Sequence, residues 1–136
     1  MKKGFLIILL LSAAILCISC GLPAVDQYDN FLADLDIEMR IDMCMKQIDE
    51  GNPSWYTRAD LKTILDDLNT LQIQDESIKE INQLFLDTSQ ELQRSVALLD
   101  ENDTDGARTS YQKAYDMRLQ AKDLLHTLHD GGPPSV

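Results

Sequence analysis

Apolar residues recur at helical spacing along most of the chain beyond residue 25. Tyr28, Phe31, Leu32, Leu35 and Met39 mark one face, and Ile37, Ile41, Cys44 and Ile48 continue an apolar stripe. This pattern predicts a first helix over about Asp26 to Glu50. Asp49-Glu50-Gly51-Asn52-Pro53 stops it with turn chemistry. Thr57-Arg58-Ala59-Asp60 has the form of a capping box and predicts the next start, with Thr57 accepting from the N–H of residue 60. Leu61, Ile64, Leu65, Leu68 and Leu71 follow as a clean stripe.

Residues 72–77 are polar and can be a loop. Yet Ile64, Leu71, Ile78, Phe85, Leu92 and Leu99 repeat every seven residues across them, as a single helix over 57–100 would require. The polar residues Asp75, Asn82 and Ser89 on the same seam favour a break near 72–76 instead. A third helix is expected over Asp75 to Asp100, and a fourth over Ala107 to His129 after a turn at 101–106. Ala107, Ala114 and Ala121 recur every seven residues and let a partner helix approach closely, with Tyr111, Leu125 and Leu128 adding bulk. Asp130-Gly131-Gly132-Pro133-Pro134 ends that helix. The expected fold is all-α: a small antiparallel bundle of four helices over 26–130 with a loose tail at 131–136. The alternative is three helices, one of them spanning 57–100. Gly and Pro are almost absent between Ser54 and Asp105, which argues against a sandwich or barrel.

The N-terminus has a different pattern. Lys2 and Lys3 precede an uncharged apolar run of 14 residues, Phe5 to Ile18, and the run leads into Ser19-Cys20. Such an order reads as an export signal, too short to span a bilayer by itself. It resembles the signal of a bacterial lipoprotein. The resemblance implies cleavage after residue 19, lipidation of Cys20 and a short tether over 20–25. Cys17 stands where that class usually has Leu, three residues before the modified cysteine. Two alternatives remain at this point. Phe5 to Val25 is 21 residues without a charge and is long enough to be an uncleaved transmembrane anchor, with Lys2 and Lys3 on the cytoplasmic side. Ordinary cleavage would secrete the domain. All three place residues 26–136 outside the cytoplasmic membrane.

Removing Lys2 and Lys3 from the 12 Lys+Arg leaves ten against 23 Asp+Glu, so the net charge falls from −11 to −13. Such a chain repels phosphate backbones and anionic headgroups, and a nucleic-acid role is not expected. With Cys20 lipidated, Cys44 is the one cysteine left in the domain and no internal disulfide can form. Its place on an apolar stripe predicts a small buried hydrophobe.

Three clusters have chemical potential. Glu101-Asn102-Asp103-Thr104-Asp105-Gly106 overlaps the start of an EF-hand-type calcium loop, with Glu101, Asp103 and Asp105 as ligands one, three and five. Gln112 stands where the closing bidentate Glu belongs, and Arg108 where an apolar residue packs, so an acidic turn capping the next helix is expected. His126 and His129, with Asp123 and Asp130 nearby, lack an evident fourth metal ligand and suit a helix C-terminus. Trp55 and Tyr56 are expected to cover the open end of the bundle. No hydrolase, phosphate-loop or redox motif occurs, so no enzyme, catalytic residue, metal or cofactor is expected. Ala107, Tyr111 and Ala114 have the spacing of the second helix of a tetratricopeptide repeat, without a second copy. The helix order as a whole is similar to that of many small bacterial lipoprotein bundles. The expected function is a lipid-anchored, extracytoplasmic, non-catalytic interaction module that offers a face to another envelope protein or a basic ligand. The alternative is a binding protein for a small cation or ligand.

Overall fold

A computed structural model of the chain describes residues 22–131. Cys20, the signal and residues 132–136 lie outside the described residues. Five helices follow in order: α1 (Ala24–Asp34), α2 (Ile37–Asp49), α3 (Trp55–Asn69), α4 (Glu76–Asp100) and α5 (Thr104–His129). The all-α class stands, with no strand among the described residues.

The expected first helix is two helices. Asp36 takes a left-handed conformation (φ 51, ψ 31) between α1 and α2. The reason is the register of the core positions. Tyr28 and Leu32 are buried on α1, and Ile37 and Ile41 on α2. The step from 32 to 37 is five residues, which in an unbroken helix would swing the stripe about 140° away from the core. Breaking at Leu35-Asp36 returns both stripes inward and leaves Leu35 and Met39 exposed, not on the core face. Asp tolerates left-handed backbone better than most residues, but glycine does so without strain. Asp36→Gly is therefore expected to raise stability by up to about 1 kcal/mol, read as an increase in the urea midpoint.

α3 begins one turn earlier than the Thr57 start expected from sequence. Ser54 is the N-cap: its Oγ accepts from the Thr57 N–H at 3.4 Å, and its own N–H donates to Thr57 Oγ1 at 3.1 Å. Thr57 is thus the third residue of the box rather than its cap, and Asp60 is free to pair with Arg40. Between α3 and α4 the chain does break. The Thr70 hydroxyl folds back to the Asp67 carbonyl (2.6 Å), and Asp75 caps α4 by accepting from the Ile78 N–H at 3.1 Å. No helix spans 57–100.

α1 and α2 run in the same direction along α5, with His129 at Asp29 and Arg118 at Glu38, and from α2 onward successive helices run antiparallel. Cys44 of α2 meets the Thr57 carbonyl of α3, while Arg40 reaches Asp60 and Asp67. Asn82 of α4 donates to the Leu68 carbonyl (3.4 Å), and Arg58 forms a bidentate pair with Asp100, both contacts 2.8 Å. Ser95 donates to the Ala107 carbonyl of α5 (2.8 Å), and Phe85 lies under Arg118. The α5 alanines 107, 114 and 121 are buried, as their spacing predicts.

Of the polar seam positions that weakened a coiled-coil pattern, Asn82 and Ser89 are buried and satisfied, while Asp75 is the exposed cap of α4. Ser89 donates to the Phe85 carbonyl at 3.0 Å. The Tyr28 hydroxyl donates to Asn82 Oδ1 at 3.1 Å, tying α1 to α4. Burial raises the Tyr28 pKa strongly, with Glu38 and Asp29 adding to the shift. Arg118 is a buried charge that sequence analysis did not single out. Its Nη2 donates to Glu38 (2.8 Å), its Nε lies 3.4 Å from Asp42, and its guanidinium sits 5.4 Å from the Phe85 ring centre. Position 118 falls on the same stripe as Ala114 and Ala121, so the signal was a cation inside an alanine seam.

Candidate functional site

The residues that close the core leave a particular set outside. On α2, Ile37, Ile41, Cys44, Met45 and Ile48 face inward. Met39 and Met43, one turn apart, fall on the opposite side, and each is 55% exposed. On α3, Thr57, Leu61, Ile64 and Leu68 are the buried positions. Because the helix starts after Ser54, Trp55 and Tyr56 fall off that stripe. They are 67% and 66% exposed, so they do not cover the end of the bundle as expected. Instead their rings stack on one another, with centroids 3.7 Å apart and planes at 28°.

Between α2 and α3 lies a groove of about 600 Å³. Met43 and Gln47 line it from α2, and Trp55, Tyr56, Ala59 and Thr63 from α3, with Asp60 as its acidic member. Met39, one turn before Met43, lines a second concavity of about 470 Å³ at the α1–α2 elbow, together with Asp29, Asp36 and Glu38. No Lys or Arg lines either depression. The groove walls are held in place by Arg40, which donates to Asp60 through Nε (2.8 Å) and Nη2 (2.6 Å) and to Asp67 through Nη1 (3.3 Å). Burial lowers the Arg40 pKa, but hydrogen bonds to Asp60 and Asp67 outweigh it, and the net direction is up. Met43, Trp55 and Tyr56 exposed together around one groove are the kind of exposure that signals recognition, unlike scattered single residues.

No family model, curated protein or solved structure matches the chain.

The other clusters are occupied differently. Asp103 uses its carboxylate as the α5 N-cap, accepting from the Gly106 N–H at 2.9 Å. A Cβ at residue 106 would stand 2.3 Å from Asp103 Oδ2, so the glycine there makes room for the cap. His126 and His129 part company. His126 Nδ1 lies 3.1 Å from Asp130 on its own helix end, whereas His129 crosses to α1, touching Asp29 and lying 3.7 Å from Asp26. Among the described residues no three His, Cys, Asp or Glu side chains are grouped to hold a metal ion.

Cys44 sits beneath the groove. Its thiol lies 3.9 Å from the Thr57 carbonyl. Burial pushes its pKa up to about 12 from an ordinary 9.0, Asp60 adds to this and Arg40 opposes it. The thiol is inert in the fold, and iodoacetamide at pH 8 is expected to label it only when the chain is unfolded. The raised pKa also sets a pH dependence. Cys44 and Tyr28 are both held neutral by the fold, so their stabilisation is complete below their unfolded pKa values and is lost as pH rises toward the folded ones. Stability should therefore fall above about pH 9, by up to ~1.4 kcal/mol per pH unit for each group titrating. Cys44→Ala should flatten the lower part of that alkaline limb and Tyr28→Phe the upper part. Identical limbs in all three proteins would contradict the assignment.

Proposed function

We propose that the chain is a non-catalytic interaction module, held outside the cytoplasmic membrane by lipid on Cys20, that presents the α2–α3 face to another envelope protein. The carrying observation is the exposed Met39, Met43, Trp55 and Tyr56 on a bundle whose core is otherwise closed. Supporting the location are the basic start, the apolar run and the Ser19-Cys20 junction. One lipidated cysteine supplies the anchor, since a chain this acidic gains nothing from anionic headgroups. No helix of the described residues is long and apolar enough to cross a membrane.

Two measurements test this on the full chain. Metabolic labelling with a radioactive fatty acid should mark the protein and should be lost in Cys20→Ala, which should also change its processing and membrane retention. An unlabelled protein that stays equally membrane-bound after Cys20→Ala would support the uncleaved anchor instead. Chemical cross-linking in intact membranes should give discrete adducts with an envelope protein, reduced when Met43→Ser and Tyr56→Ser are combined. Adducts that ignore this double substitution, or no adducts, would count against presentation through the face. A small-cation role is disfavoured by the cap formed by Asp103 and by the divergence of His126 from His129.

A further inference from the structure

The face has a chemistry that restricts its partner. Resting on the interaction-module reading, we infer that the α2–α3 groove receives an amphipathic helix with bulky apolar residues on one side and Lys or Arg beside them.

Shape supports this first. The groove runs between two antiparallel helices and is lined by Met43, while Met39, one turn back on the same exposed side of α2, lines the neighbouring depression at the elbow. An incoming helix offers anchors at i, i+3/i+4 and i+7, which match such a track. The lining suits side chains that vary in outline. Methionine is flexible and polarizable, and the Trp55–Tyr56 stack offers a broad aromatic surface.

Charge restricts the occupant further. The acidic residues Asp60, Asp29, Asp36 and Glu38 line the two depressions without a cation among them. Three of these carboxylates already face a cation or histidine of the bundle: Asp60 with Arg40, Glu38 with Arg118, and Asp29 with His129. Asp36 at the elbow has no such partner among the described residues. Lys46, Arg58, Lys62 and Lys79 are likewise paired to carboxylates of the same chain. With 23 acidic against ten basic residues beyond Lys3, the domain is net negative, and no Lys or Arg lines the groove. A second copy would set −13 against −13, and an anionic bilayer would repel the same field. A basic helix is attracted, and its Lys or Arg side chains can also rest on the exposed Trp55 and Tyr56 rings.

Trp55 is the single tryptophan of the chain, so its fluorescence reads the groove directly. The test titrates the full chain in phosphatidylcholine nanodiscs with a Trp-free helical Leu/Lys peptide, with empty nanodiscs as the blank. Saturable binding with a blue shift of Trp55 emission is expected. Raising ionic strength from ~0.05 to ~0.3 M should weaken it. Combined Met43→Ser and Tyr56→Ser, with helicity verified by circular dichroism, should weaken binding by about tenfold or more. The control is the other exposed apolar pair, Tyr115 and Leu119 on α5, at 43% and 44% exposure. Tyr115→Ser with Leu119→Ser should leave the affinity unchanged. The inference is overturned by an absent shift, by equal binding of a Leu/Glu peptide, by equal loss in the α5 control, or by the same shift on adding phosphatidylglycerol vesicles without peptide. If the peptide fails while membrane adducts still depend on Met43 and Tyr56, the interaction module stands and only the basic-helix partner falls.

Discussion

Phe85→Ala is expected to destabilise the protein by about 3–5 kcal/mol. Phe85 is fully buried on α4 at the level where α1 and α5 converge. Its ring centre is 6.5 Å from that of Tyr28 on one side and 5.4 Å from the Arg118 guanidinium on the other. Truncation opens a cavity and also strips Arg118 of its aromatic neighbour. That matters because Arg118 Nη1 is buried without a hydrogen bond. Part of its compensation comes from the ring, part from Glu38 and Asp42. Arg118→Met tests the partition. It removes the buried charge, keeps most of the volume against Phe85, and should cost much less than Phe85→Ala. Urea unfolding measures both, and a Phe85→Ala cost below about 1 kcal/mol would mean the core does not close around this ring.

Ala114→Leu and Ala121→Leu are each expected to cost about 1–3 kcal/mol. Both alanines are fully buried on the α5 face that meets α4. The interval is short enough for the Ser95 hydroxyl to reach a main-chain carbonyl of α5, at Ala107. Leucine there must force the helices apart or take a strained rotamer. Leucine is nearly as good a helix former as alanine, so an exposed site would tolerate the change. Unchanged unfolding midpoints in both variants would show that α5 does not pack by its alanine face.

These two expectations differ in how openly they stand in the sequence. The alanine seam, the break before Asp75 and the long α4 stripe were legible because each is a periodic pattern with local stop chemistry. The elbow at Asp36 was also written there, as the five-residue step from Leu32 to Ile37. It is easily missed because both stripes are apolar and no Gly or Pro marks the join. Trp55 and Tyr56 were legible as a notable pair but not as an exposed one. Their direction depends on where α3 starts, and Ser54 rather than Thr57 takes the cap. That one-turn difference places Thr57 on the core side and turns the aromatic pair outward. The groove was not legible at all, since Met43 and Tyr56 come together only through the α2–α3 hairpin and the Arg40 clamp.

The most direct measurement of the central claim is the methionine-methyl NMR spectrum of the protein in nanodiscs, with and without the Leu/Lys peptide. Met39 and Met43 stand on the proposed face, Met45 is buried on the other side of α2, and Met117 is half-buried on α5. If the α2–α3 face is the docking surface, Met39 and Met43 should shift on titration while Met45 and Met117 stay nearly in place. A shift led by Met117, or equal small shifts in all of them, would contradict it.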